Sequence, residues 1–272
     1  MSVKPRTSDP RAEGALIWPS HKLTRSKALI VGQRSPLEKA TIRTPYFPAT
    51  LCRPLVQYIA DSDGAGRRTG PITGMGSFLK RSMDVFVSSL ALLFLWPLML
   101  LIAIAVKLES RGPVIYRSLR VGKDGREFNC YKFRTMIAGS DGLKQNLRRL
   151  NQRRGPFFKI ADDPRVTGLG RFLRKYSLDE MPQLWNVLKA DMSLVGPRPH
   201  PVEDCAQYRS EHCRRLDVTP GVTGLWQVMA RANPSFEICM TLDRAYIEKW
   251  SLLLDCRILL KTIPAVLAGE GQ

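Results

Sequence analysis

Between Ser177 and Pro199 the chain reads SLDEMPQLWNVLKADMSLVGPRP, which sets adjacent carboxylates, Asp179 and Glu180, shortly before Arg198, an arginine flanked by prolines. Neighbouring positions on a helix diverge by about 100°, so these acids cannot grip one atom from both sides and must do different work. An ionised aspartate is a competent covalent nucleophile toward phosphorus when a cation or metal beside it offsets the phosphate charge. Cations are abundant: Lys132 and Arg134 in YKFRTM, Arg165 in DDPRVT, Arg171 and Arg174 in GRFLRKYS, and Arg198 in GPRP. A planar guanidinium suits phosphate oxygens, and the prolines around Arg198 point to a rigidly aimed side chain. Any one of these cations alone reads as a solvated surface charge. Their clustering beside an acid pair favours phosphate chemistry.

The acids precede the apolar-periodic stretch Leu184, Trp185, Val187, Leu188, which predicts a helix with the pair at its N-terminus, an end that favours anions. Ser177 and Glu180 stand in the S-x-x-E relation of a capping box. Pro182 would then fall at the fifth helical position, where a donor is needed; with Asp179 as the cap it falls at the third, where the donor is free. That favours Asp179 as the cap. Farther on, Gly221–Gly224 (GVTG) and Trp226 read either as a loop shaped against a nucleotide or as a turn beside a core tryptophan.

Val85–Val106 is a run of 22 residues without a charge, long enough to cross a hydrocarbon core of about 30 Å. Pro97 sits near its middle, and both flanks are basic: Lys80 and Arg81 before, Lys107, Arg111, Arg117 and Arg120 after. Positive flanks at both ends are most simply satisfied when the chain enters and leaves on one side, which predicts a re-entrant hairpin with its break at Pro97. Its arms would span only about 18 and 14 Å. A kinked single span and a buried core helix are the competing readings.

The net charge of +18 over 272 residues favours an anionic partner: nucleic acid, an acidic membrane surface or a phosphorylated substrate. Residues 1–75, with twelve Lys and Arg against five Asp and Glu and no sustained apolar periodicity, are expected to form a disordered basic tail. Six cysteines without C-x-x-C spacing fit buried thiols in a reducing compartment, and three histidines argue against zinc. A basic membrane scaffold or nucleic-acid-binding protein without catalysis is the alternative class; no aromatic-interleaved basic groove supports it. From residue 112 the pattern predicts a compact α+β, predominantly helical domain. Lys123-Asp124-Gly125 marks a β-hairpin, and a helical stretch over 240–268 has an apolar end that reads equally as a face on the bilayer surface or as ordinary core packing.

Over residues 76–272 the chain resembles the bacterial sugar transferases, monotopic polyprenyl-phosphate phosphoglycosyl transferases. The motifs follow in family order: KRSMDV, the apolar run broken at Pro97, GPVIYRSLRVGKDG, YKFRTM, DDPRVTGLGRFLRKYSLDEMPQLWNVLKADMSLVGPRP and PGVTGLWQV. The ending WSLLLDCRILLKTIPAV is similar to the subgroup that starts rhizobial exopolysaccharides such as succinoglycan. The resemblance implies a re-entrant helix–break–helix over 76–111 in the cytoplasmic leaflet of the bacterial inner membrane, a cytosolic domain over 112–272 and a magnesium-dependent ping-pong reaction. In that reaction Asp179 would displace UMP from a UDP-sugar, and polyprenyl phosphate would then take the phosphosugar. Glu180 would help place Mg2+ and the acceptor, while Lys132, Arg174 and Arg198 would contact phosphates. Downstream glycosyltransferases would extend the product, and galactose and glucose are the sugars the likeness favours. Two departures stand out: Trp96-Pro97 replaces the family's usual Ser-Pro, and Ala230-Arg231-Ala232 replaces its Gly-Arg-Asn.

Overall fold

The computed structural model describes residue 72 and residues 74–269, apart from 144–145, 152–159, 161 and 232–234. The expected tail falls outside them except for its last residues, where the first helix begins, and Ala232 is also outside.

Helix α1, Gly74–Glu109, runs 36 residues and continues through Pro97. The expected break is therefore not a break in the helix. A proline removes one backbone donor, whereas stopping a helix in an apolar run would strand several groups with no alternative partner. Residues 80, 84, 88, 92, 95, 99, 102 and 106, spaced three or four apart, form one covered stripe along the helix. That stripe is polar at its start (Lys80, Asp84, Ser88) and apolar at its end (Met99, Ile102, Val106). The opposite side exposes Phe86, Leu93, Phe94, Trp96, Leu101 and Leu108.

Strands β1 (Ile115–Val121) and β2 (Glu127–Phe133) form the antiparallel hairpin expected at Lys123-Asp124-Gly125, in register from Ile115↔Phe133 to Val121↔Glu127. Asp124 and Gly125 take positive φ at the turn, a conformation these two residue types tolerate. Helix α2 (Gly168–Lys175) follows, capped by the Thr167 hydroxyl accepting from Gly170 N. Then come a 3-10 turn over Leu178–Glu180, helix α3 (Gln183–Leu188) and strand β3 (Ser193–Val195). A short α4 (Val202–Cys205) leads through a 3-10 segment to β4 (Gly221–Thr223), which pairs parallel with β3. Helix α5 (Leu225–Met229), α6 (Phe236–Glu248) and α7 (Leu252–Leu267) complete the chain. The helix expected over 240–268 is thus two, separated where Ser251 caps α7 by accepting from Leu254 N.

The larger core gathers Val195, Trp226, Tyr246, Leu254 and Ile258 around β3, α5, α6 and α7. A smaller cluster sits under the second half of α1, where Ile102 and Val106 meet Phe133 and Leu173, with Leu178 and Met181 packed against them. The five cysteines among the described residues are free thiols; Cys130 and Cys239 are buried as expected, whereas Cys205 is half-buried and Cys213 and Cys256 are exposed.

Candidate active site

Asp179 and Glu180 lie in the 3-10 turn, not at the start of α3, and the turn is entered through Ser177 in the left-handed region, φ 55°. Neither predicted cap forms. The Ser177 side chain makes no capping bond, and α3 begins only after Pro182, which needs no donor at its own N-cap position. The turn is held from below by Leu178 and Met181, seated against α1. The Ser177 hydroxyl accepts from Arg231 Nη2 at 2.6 Å. Arg231 is a residue that motif reading passed over as part of a degenerate loop; its retained arginine was the available signal.

Glu180 is saturated. Oε1 accepts from Lys132 Nζ at 2.6 Å and Arg198 Nη2 at 2.5 Å, while Oε2 accepts from Arg198 Nη1 at 3.1 Å. Burial alone would raise this carboxyl, but Arg198 and Lys132 hold it well below the usual carboxylate range. Glu180 in turn raises the Arg198 guanidinium. Asp179 is buried at 7% exposure, and among the described residues no hydrogen bond ties its carboxylate. Burial pushes it up to about 6, against the opposing pull of Lys132 and the reinforcing charge of Glu180. Arg174, lowered by burial and favoured by Asp179, anchors through Nε to Thr135 Oγ1 at 2.9 Å.

Arg198 stands on a loop whose carbonyls are all engaged: Pro197 O by Gly221 N, Arg198 O by Arg215 Nη2, Pro199 O by Arg120 Nη1 and His200 O by Val121 N. Arg215 is itself locked to buried Asp243 at 2.8 Å. The rigidity expected from the prolines is therefore completed by hydrogen bonds. On the other side, the fully buried Asn186 of α3 accepts from Tyr131 N and donates to Asn129 O, lashing α3 to β2 and hence to Lys132.

Two predicted phosphate contacts are otherwise employed. Arg134 donates to Val106 O, Ser110 O and Pro113 O, so it caps the end of α1. Arg165 forms a two-pronged pair with Asp163, at 2.6 Å and 2.9 Å, which also holds that acid below its ordinary range. Sequence spacing counts cations but does not show which already have an internal acceptor. Lys132, Arg174 and Arg198 act on the acid pair, and Arg231 holds the turn that carries it. The GVTG segment is strand β4 and the cap of α5; the expected turn is thus a strand, while Trp226 lies in the core as that reading had it.

The arrangement combines a free, buried carboxylate with a clamped one and several cations, which equips it to bind and attack a phosphate. The family model for bacterial sugar transferases matches residues 75–269. The exopolysaccharide production protein ExoY of Rhizobium meliloti is 42% identical over 75% of this chain and 92% of its own length. An undecaprenyl-phosphate galactose phosphotransferase of Salmonella typhimurium is 43% identical over 71% of this chain, and a UDP-glucose:undecaprenyl-phosphate glucose-1-phosphate transferase of Klebsiella pneumoniae is 40% identical over 71%; each is matched over 41% of its length. With its site motifs and its long apolar helix inside the matched region, the chain belongs to the bacterial sugar transferase family, in the group that includes initiators of exopolysaccharide synthesis.

Proposed function

We propose that the protein transfers a sugar 1-phosphate from a UDP-sugar to a polyprenyl phosphate, undecaprenyl phosphate by likeness to its relatives, as the first membrane step of exopolysaccharide assembly. The observation that carries this reading is the contrast between the two acids: Asp179 has a free carboxylate, and Glu180 is held by Lys132 and Arg198. An Asp179 oxygen attacks the sugar-proximal phosphorus, and the bond to the bridging oxygen breaks with its electron pair leaving on UMP. An oxygen of the polyprenyl phosphate then attacks the same phosphorus, and the bond to Asp179 breaks to restore the carboxylate. Arg174, Arg198, Arg231 and Lys132 offset the phosphate charge in both steps.

The donor set fits magnesium. Mg2+ is commonly bound by one or two carboxylates together with substrate phosphate oxygens, and Asp179 presents an unpaired carboxylate beside the already neutralised Glu180. Mg2+ bound there would neutralise charge on the diphosphate. Support for a monotopic placement comes from α1, which rests on the globular unit near both ends, through Lys80 and Asp84 and again through Ile102 and Val106. Crossing the bilayer upright would drag that unit into hydrocarbon. On this reading the helix lies in the cytoplasmic leaflet of the inner membrane, with its exposed apolar side in lipid and the catalytic domain in the cytoplasm. Helix α7 adds a second exposed row, Leu253, Leu260, Ile263 and Leu267, suited to the same interface. Enzymes that extend the lipid-linked sugar are the expected partners.

The test is UMP release from a panel of UDP-sugars, galactose and glucose first, with polyprenyl phosphate and Mg2+. Wild type releases UMP, chelation with EDTA stops release, and Asp179→Asn lowers it at least about 10³-fold. Unchanged turnover in Asp179→Asn would sink the nucleophile assignment.

A further inference from the structure

The KRSMD stretch at the start of α1 is not in contact with the acid pair, yet its Lys80 and Asp84 are buried inside the domain and its Arg81 is half-buried. Lys80 Nζ donates to Asp255 Oδ2 at 2.6 Å and to Val195 O at 2.9 Å. Asp84 Oδ1 accepts from Leu194 N at 2.9 Å. Asp255, with no exposure, is also approached by Tyr246 OH at 2.8 Å and receives Trp250 Nε1 at 3.1 Å. Burying these charges costs free energy that a plain lipid anchor has no need to spend. Their contacts converge on β3, a strand of three residues paired on one edge only, with β4. Asp84 supplies the acceptor that the other edge lacks.

Strand β3 leads straight into the loop of Arg198. Gly196 and Pro197 intervene, and their surroundings leave little slack: a Cβ on Gly196 would lie 2.6 Å from Thr219 O. A shift of β3 therefore reaches Arg198 almost undamped. Arg81, next to Lys80, donates to Val187 O and Leu188 O and so closes the far end of α3, the helix that follows the acid pair.

We propose that Lys80 and Asp84 are positioning residues for the transfer reaction: from the first turns of the lipid-facing helix they fix β3, and through it they aim Arg198 at Glu180 and the substrate phosphate. The inference rests on the reading of Arg198 as a phosphate clamp. It makes the membrane helix part of the active-site scaffold in addition to its role as an anchor.

Hydrogen–deuterium exchange and UMP release on the full-length protein in lipid nanodiscs test it together. Asp84→Ala should speed exchange of the 193–198 amides about 10-fold or more while leaving α6 unchanged, and Asp84→Asn, which keeps an acceptor for Leu194 N, should restore protection. UMP release should fall about 10-fold in Asp84→Ala, and Asp84→Ala with Arg198→Ala should be no slower than Arg198→Ala alone, the non-additivity of residues acting through one another. Lys80→Met carries the same expectations where Asp84→Ala does not accumulate. Unaltered exchange at 193–198, a rise spread evenly over the whole domain, or losses that multiply in the double variant would each overturn the proposal. Wild-type protein that releases no UMP counts against the transferase reading, and the exchange result still decides whether the helix fixes β3.

Discussion

Asp179 and Glu180 are neighbours with opposite electrostatics, and pH should separate them. Asp179, pushed up to about 6 by burial when no metal is bound, attacks only when ionised, so UMP release should fall as pH falls, from a point that Mg2+ beside it would draw below 6. Glu180, held low, does not titrate there. A carboxyl raised from 3.8 to about 6 gives stability that is present at low pH and lost as pH rises through 6. Asp179→Asn should therefore raise the apparent melting temperature by about 5 °C at pH 8 and by little at pH 4, as read by scanning fluorimetry. Glu180→Gln should lower kcat about 10²-fold yet tighten UMP binding, because Lys132 and Arg198 lose their internal partner. An equilibrium titration with UMP checks the second half. That the two acids have different surroundings was legible from adjacency alone, since neighbours cannot face one atom. The cap was not, because the chain enters the turn through Ser177 in a left-handed conformation that residue type does not announce.

Short elements carry the site, and each is tied sideways. Strands β3 and β4 approach so closely that a Cβ on Gly221 would sit 2.1 Å from Gly196 N. Gly221→Ala should therefore force the strands apart, displace the Arg198 loop and lower UMP release at least about tenfold. Asn186→Ala should cost about 2–3 kcal/mol by leaving Tyr131 N and Asn129 O without their partner, visible as a lower melting temperature. The β1–β2 hairpin was readable because its turn needs positive φ at Asp124 and Gly125. Helix α1 was misjudged at Pro97 because proline reports a lost donor, while the continuity of a helix depends on what else the backbone could bond to. The internal acceptors of Arg134 and Arg165, the end of α1 and Asp163, were not legible because they are paired with them only by folding.

The described residues are organised around a helix that docks near both ends on one domain. With Cys213 and Cys256, the exposed thiols among the described residues, and also Cys52 changed to serine, single cysteines placed at either end of 85–106 should both stay closed to a membrane-impermeant thiol reagent added from outside. Labelling of one end alone would establish a span. Charge and hydropathy made the membrane segment legible, but its docking was hidden, since the partners of Lys80 and Asp84 lie far along the chain. The Lys80 to Asp255 contact joins positions 175 residues apart. At about 5–20 residues added per second, the ribosome leaves Lys80 without its partner for roughly 10–35 s after it is made. If the apolar helix enters lipid as proposed, it is made well before the domain that receives its charged face, and α7, which carries Asp255, is synthesised last to close the ion pair.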